Sequence, residues 1–474
     1  MLTLSSRPFV LLNKIMTKVA QKINDSATLR WTVLAIVALT MMMGYIVAKQ
    51  MSPLQYFLEL PTSSGGLGWT SGEFGVLAGS RGFFNVFLLM LFVGGIILDK
   101  TGVRFAGVLS CVLMLGGTVI DYYAITFMDP ATIVRANLQW IGYTDPAIKL
   151  QVVVAALGFA TFGVGYELCG ITVSKVIVKW FTGKEMALAM GVQVALARLG
   201  TALALAGAPP LAERYSLSTP ILIGLFSVGV GLIIYLLYCS IDRKADAQLT
   251  DATTGDDEKF HFSDMKHTVK NPGFWLITLL CLLYYSALYP FLDFATKLMI
   301  SKYGVDPSIA GSIPAILPFT SIVLTPLFGG MYDKMGKGAT IMIIGTVMLT
   351  LVLVVFALPF NSSALAICLM LILGIAFSLL PSVLWPAVPK IVPMKQLGTA
   401  YSIIYYIQNI GLMLIPIIIG GVLQRNTVGT TVDYTQAMWI FTGIGIAAII
   451  VSVALLIIDR RKNYGLQKAN ITNK

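Results

Sequence analysis

Two ionisable residues stand where a membrane-spanning chain should carry none. Glu167 and Arg198 lie in apolar runs on either side of a short polar loop, Phe181 to Glu185. Glu167 comes 13 residues before Trp180, and Arg198 comes 13 residues after Glu185. At about 1.5 Å of rise per residue, each is roughly 20 Å from that loop, near the middle of a hydrocarbon core about 30 Å thick. A charge at the bilayer centre costs at least ~2.5–3.5 kcal/mol, so such residues face a cavity or one another. The chemistry open to this pair is capture of a small molecule with two charged ends. The arginine offers a planar fork to a carboxylate; the glutamate accepts an ammonium or carries a proton. The alternative is an ion pair between the two that only joins their helices.

Other polar side chains in apolar surroundings extend the list. Lys175 lies two helical turns below Glu167, where it either faces the cytoplasmic half of a pathway or snorkels to the surface. Gln408 and Asn409 fall at mid-depth of another apolar run, suited to a site or to interhelical hydrogen bonds. Tyr284, Tyr285 and Tyr289 precede Pro290, giving a broken aromatic helix able to line a side-chain pocket or simply to pack. Trp385, next to Pro386 and five residues before Lys390, reads as a gate or lower pocket wall. Asp293 and Lys297 are spaced for a local helix pair, with an outer gate as the sharper alternative. Arg81 and Asp121 are placed near the outer ends of their runs, Arg81 as interface anchor or vestibule contact, Asp121 as an interface residue.

The elements that must hold these residues are transmembrane helices. Of 474 residues, 57% are hydrophobic and 12% charged, against about 25% charged in soluble domains; the mean hydropathy is +0.83. Twelve spans are expected: 31–58, 74–98, 103–125, 148–179, 186–209, 219–241, 274–300, 308–332, 339–360, 364–389, 396–422 and 436–459. Lipid leaves helices as the form such runs take. The tails and even-numbered loops carry 23 Lys and Arg, the odd-numbered loops five, which predicts both termini in the cytoplasm. That bias accounts for the net charge of +11 without nucleic acid. Residues 1–30 form a cytoplasmic tail whose Lys14, Lys18 and Lys22 suggest a short amphipathic helix. Residues 31–241 make one six-helix bundle, 242–273 a cytoplasmic linker, 274–459 a second bundle and 460–474 a tail.

The bundles resemble each other. Shifting 163–200 by 211 sets Gly163 on Gly374, Lys179 on Lys390, Lys184 on Lys395 and Gly200 on Gly411. Repeats of this kind place a site at their interface near the midplane. The same shift sets Glu167 on Ser378 and Arg198 on Asn409, so the charge is carried by one half.

Two loops carry a motif. GIILDKTGVR runs from Gly95 to Arg104 and GGMYDKMGK from Gly329 to Lys337. Each residue has a physical role: Gly95 for close packing, Asp99 to accept from helix amides, Gly102 for a tight turn, Lys100 and Arg104 for the anionic leaflet, with Asp333 and Lys334 as the second copy. The pattern resembles the gating signature of the major facilitator superfamily, which implies that fold: two pseudo-symmetric six-helix bundles that rock about a central site. Two longer runs, Trp180 to Thr201 with Glu167 upstream and Phe377 to Gly411, resemble the lysosomal dipeptide uniporter branch. That resemblance implies short peptides as substrate, with Glu167 and Arg198 binding them and Trp385 contributing. Lys175 and Asp293 are charges it does not account for.

The expected function is therefore secondary transport of dipeptides by a monomer in a lipid bilayer. The alternatives are proton-coupled transport of small organic anions, with protons as a second partner, and a non-transporting sensor. No catalytic elbow, phosphate loop or helical metalloprotease motif is present in the sequence, so no enzyme and no cofactor is expected. The five cysteines lack metal spacing, and His261 and His267 fall in the polar linker. No cleavable leader is read at the start, and a bacterial inner membrane is the expected location.

Overall fold

A computed structural model describes residues 26–137, 139, 143, 145–181, 184–247, 270–393, 396–429 and 431–469. The expected amphipathic helix, His261 and His267 lie outside them. The chain is built from α1 (Ala27–Gln50), α2 (Gln55–Glu59), α3 (Ser71–Ser80), α4 (Phe83–Phe87), α5 (Met90–Phe127), α6 (Leu150–Phe181), α7 (Met186–Arg214) and α8 (Ser218–Ala247). A second set follows: α9 (Pro272–Tyr303), α10 (Ser312–Met335), α11 (Gly338–Ala357), α12 (Ser363–Ile391), α13 (Leu397–Arg425) and α14 (Thr435–Lys462). Among the described residues, eleven helices are long and apolar enough to cross a membrane. Their outer surface is a coat of half-exposed Leu, Ile, Val and Phe, such as Phe226 and Val323, as a lipid-facing surface requires. Two small antiparallel hairpins, β1 (Ile133–Arg135) with β2 (Ala147–Lys149) and β3 (Thr427–Val428) with β4 (Thr431–Val432), finish loops far from the termini.

The eleven differ from the expected twelve at the second span. The run 74–98 is broken: α3 ends at Ser80, α4 occupies Phe83–Phe87, and α5 starts after Leu89, which adopts a left-handed conformation at φ 53°. The third span then continues from the second within α5, reversed at Gly102, where φ is 79° and ψ 172°. A side chain there would be strained, which is the tight turn expected of Gly102.

Glycine contacts repeat between the halves. A Cβ on Gly200 of α7 would come 2.5 Å from the Met42 carbonyl oxygen of α1. One on Gly411 of α13 would come 1.9 Å from Ser286 Oγ of α9. The equivalence expected from the 211-residue shift thus reappears as the same helix pair approaching closely in each half.

The halves meet most closely at the end away from the chain termini. Gly72, Gly75 and Gly79 on α3 press on Gln424, Pro416 and Met413 of α13; a Cβ on Gly75 would lie 2.5 Å from the Pro416 carbonyl oxygen. Gly311 abuts the Leu205 carbonyl of α7 at 1.9 Å by the same measure. Two ion pairs cross there, Lys49 to Asp293 and Lys297 to Glu59. Ser52 Oγ donates to Asp293 at 2.7 Å and Lys297 donates to Ser71 at 3.1 Å. Asp293 and Lys297 are therefore not a local pair, as their spacing suggested. Both face the other half, because the distal ends of α1 and α2 offer partners of opposite sign, Lys49 and Glu59, and α3 adds the Ser71 hydroxyl.

At the opposite end each half is tied within itself. Asp242, fully buried, receives Lys179 at 2.8 Å, Trp180 Nε1 at 3.3 Å and Tyr238 at 3.0 Å. Helix α8 thus extends into the region expected to be linker. The chain after α14 folds back on the second motif loop: Lys337 and Gly338 amides donate to the Gln467 and Leu466 carbonyls at 3.0 and 2.9 Å, and Leu466 is fully buried.

Candidate functional site

Helices α6 and α7 present Glu167 and Arg198 near their midpoints, half-buried. The two are not paired with each other. Each is met by neutral groups of the opposite half. Asn409 of α13 lies beside Glu167, with its amide donating to the Tyr405 carbonyl at 3.0 Å. Arg198 Nη1 donates to Tyr289 Oη of α9 at 2.8 Å, and its guanidinium lies 4.3 Å from the ring centroid of Phe377 on α12. A cation over an aromatic face gains about 0.5–2 kcal/mol without a counter-charge. The guanidinium is held in place, yet no carboxylate among the described residues forms an ion pair with it.

Two tyrosines stand near these charges. Tyr45 of α1 and Tyr166 of α6 pack edge to face at 5.1 Å. Sequence reasoning passed over both, since a tyrosine in an apolar run carries no signal of its own. Arg81 is a different matter. The sequence places it as an interface anchor or a vestibule contact near the outer end of its span, but α3 begins at Ser71, so Arg81 lies about ten residues, or roughly 15 Å, below the distal end. Its guanidinium stands 5.8 Å from the Tyr166 ring and interacts with Glu167 through space. The break after α3 aims it there.

The aromatic wall comes from the second half. Tyr285 stacks on Tyr289 at 5.5 Å, Trp385 stacks on Tyr405 at 5.0 Å, and Trp385 Nε1 donates to Tyr285 Oη at 3.3 Å. Tyr284 stands apart: fully buried, it donates to the Ala376 carbonyl at 2.7 Å, a packing role inside its own bundle. Gln408 is likewise 8% exposed and accepts from Cys281 Sγ at 3.3 Å. Of the two neighbouring amides expected at mid-depth, Gln408 thus packs within its own bundle and Asn409 lies beside Glu167.

Lys175 is placed with the motif loop rather than with Glu167. Its ammonium meets Asp99 at 2.8 Å. Asp99 was expected to accept from helix amides; a lysine two turns below Glu167 reaches it instead. Arg104, expected at the leaflet, pairs with Asp246 at 3.0 Å and Asp242 at 3.7 Å. Gly95 was expected to allow close packing, but a Cβ there would meet nothing within 4 Å; Gly94 holds that position, 3.3 Å from Leu168 by the same measure. Lys100 and Lys334 are exposed and Asp333 is half-buried. Asp121, expected at the interface, is fully buried with its carboxylate against Gly158. Among the described residues, no cluster of metal ligands is found.

Two helical halves, charges at mid-membrane on one of them and an ion-paired seam between them define a membrane carrier. The family model described as "Major Facilitator Superfamily" matches residues 34–416 and again 298–471, and the chain belongs to that superfamily. Within it, the chain falls in the branch of the lysosomal dipeptide transporter MFSD1. The Mus musculus member is 30% identical over 355 residues, covering 72% of this chain and 70% of the relative; the Homo sapiens member is 29% identical over the same shares. Among solved structures, the nucleoside transporter NupG superposes with TM-score 0.67 at 15% identity or less, covering 90% of this chain and 99% of that one. A POT family transporter in complex with a thioalcohol-conjugated peptide gives 0.65 at 15% identity, covering 90% and 96%. At these identities the solved structures speak for the fold alone.

Proposed function

We propose that the protein moves short peptides, dipeptides above all, across a membrane by alternating access of its two halves. The observation that carries the reading is the pair of mid-helix charges: among the described residues Glu167 and Arg198 form no ion pair with each other, and Arg198 is steadied by the Tyr289 hydroxyl and the Phe377 ring of the other half. A dipeptide supplies the missing ions. Its ammonium goes to Glu167, its carboxylate to Arg198, and the aromatic wall of Tyr285, Tyr289 and Trp385 packs its side chains. Because both ends of the ligand touch residues that also bridge the halves, binding is coupled to their relative movement. The relatives named as dipeptide transporters support the substrate class.

In this reading the chain makes twelve passes, counting α3 to the Gly102 turn as one. Both termini are cytoplasmic, supported by the 23-to-5 distribution of Lys and Arg. The Lys49–Asp293 and Lys297–Glu59 pairs then lie outside, as the outer latch, and the motif loops lie inside. Glu167 is also the group placed to carry a proton should the cycle be proton-coupled. A monomer suffices, since the seam is within one chain. The membrane we propose is a bacterial inner one; cell fractionation that found the protein in an internal organelle would overturn that.

Counterflow in proteoliposomes tests the central reading. Dipeptides with free ends are expected to exchange, and N-acetylated dipeptides are expected not to compete. Equal competition by N-blocked peptides would favour an organic-anion carrier that needs Arg198 alone. No counterflow with any solute would favour a sensor.

A further inference from the structure

We infer that Arg81 adds a second anion subsite and makes the cavity prefer peptides with an acidic side chain. This rests on the peptide reading above and deepens it.

The placement of Arg81 is built rather than incidental. Helix α3 stops one residue earlier, and the Arg81 amide still closes a turn onto the Gly79 carbonyl. The chain is then pressed on α6 at Gly163, where a Cβ would lie 2.0 Å from the Arg81 carbonyl oxygen. Asn85 Nδ2 donates to the Gly163 carbonyl at 3.3 Å and fixes the segment from the other side. Any residue but glycine at 163 would displace the Arg81 backbone. The result is a half-buried guanidinium 5.8 Å from the Tyr166 ring centroid, on the residue next to Glu167. Glu167 is near enough to feel it, but forms no ion pair with it among the described residues.

The charges around this space do not balance. Lys49 is neutralised by Asp293 and Lys297 by Glu59. Among the described residues that leaves one carboxylate, Glu167, against two guanidiniums, Arg81 and Arg198, which contact neutral rings and a phenol. A peptide with an uncharged side chain brings one charge of each sign, and the excess positive charge stays. A third charge, a side-chain carboxylate, removes it. Arginine is suited to the task, because its fork grips a carboxylate through two parallel hydrogen bonds. Inside a membrane, where the dielectric is low, that contact is worth more than at a surface.

The test compares side chains that differ in charge and little in shape, using the full-length protein in proteoliposomes. Competition for counterflow is measured with Ala-Glu, Ala-Gln and Ala-Lys. Ala-Glu is expected to compete about tenfold more strongly than Ala-Gln, with Ala-Lys the weakest. Arg81→Gln is expected to lower the ratio of Ala-Glu to Ala-Gln competition to about one, whatever the overall rate; Arg81→Lys, a milder change, is expected to keep part of the preference. Equal competition by Ala-Glu and Ala-Gln in the unaltered protein overturns the inference while leaving the peptide reading intact. So does a preference that survives Arg81→Gln. Competition by none of the three overturns the peptide reading itself. The comparison in the unaltered protein decides even if Arg81→Gln fails to fold.

Discussion

Arg198 makes one hydrogen bond to Tyr289 and one ring contact with Phe377, and neither compensates its charge. Replacing it with alanine is expected to remove counterflow, by at least about 100-fold, since the lost contact is a charge-assisted one. Expression and melting temperature should be unaffected beyond a small change. Tyr289→Phe removes only the hydroxyl and is expected to weaken exchange about tenfold, the scale of one hydrogen bond to a charge. Normal exchange by a folded Arg198→Ala protein would remove that residue from the site. Glu167→Gln separates two roles: dipeptide exchange that survives while pH-driven accumulation disappears marks a proton carrier, and loss of both marks an ammonium site. Glu167 and Arg198 were legible in the sequence because ions in lipid are expensive wherever they lie. Tyr45 and Tyr166 were not, because a tyrosine fits equally well in a core, an interface or a site. Arg81 was visible as an intramembrane charge, but with its helix expected from 74 rather than from Ser71 it read as an interface anchor or vestibule contact and not as a neighbour of Glu167.

At the scale of the helices, the seam between α3 and α13 depends on the absence of side chains. Gly75→Val is expected to keep the halves apart at that end, since the new side chain would overlap the Pro416 carbonyl. Cysteine labelling at the distal ends of α3 and α13 would show it as increased accessibility. Unchanged labelling would mean that the helices slide to accommodate it. The nearby Lys49–Asp293 pair acts on the same equilibrium. Removing one partner of a buried pair costs about 3–5 kcal/mol, so Lys49→Met is expected to depopulate the latched state. The exchanged pair, Lys49→Asp with Asp293→Lys, should restore it in part. The positions of most helices were legible, because apolar runs of this length have no other stable form in lipid. The break between α3 and α5 was not: the stretch from Val86 to Leu98 is continuously apolar, and hydropathy does not register a left-handed Leu89 or a kink set by tertiary contact. The partners of Asp293 and Lys297 were hidden for a related reason. Spacing along one helix cannot weigh a partner that another helix brings across the seam.

Taken as a whole, the molecule ties its halves together at one end and ties each half to itself at the other. The N-terminal half does this with side chains, Asp242 receiving Lys179 while Arg104 pairs with Asp246. The C-terminal half uses its own tail. Lys390, the repeat counterpart of Lys179, donates to the Gly465 and Lys468 carbonyls at 3.2 and 3.1 Å, and Asp459 accepts from the Leu466 amide at 3.0 Å. Gly336, at φ 67°, passes so close to the tail that a Cβ would lie 2.6 Å from the Ala469 amide nitrogen. The tail is thus a structural part of the second bundle, although its composition reads as a polar terminus. Leu466→Ala empties a fully buried site, and truncations of that kind cost about 2–5 kcal/mol. A lower melting temperature is therefore expected, whereas apparent affinity for a dipeptide should be unchanged, because the tail is remote from Glu167 and Arg198. The rate of exchange is the informative reading. If the clasp keeps the C-terminal half rigid as it rocks, Leu466→Ala slows exchange in protein that is still folded at the assay temperature. Exchange at the unaltered rate from such protein would reduce the tail to a stabilising strap with no part in the movement.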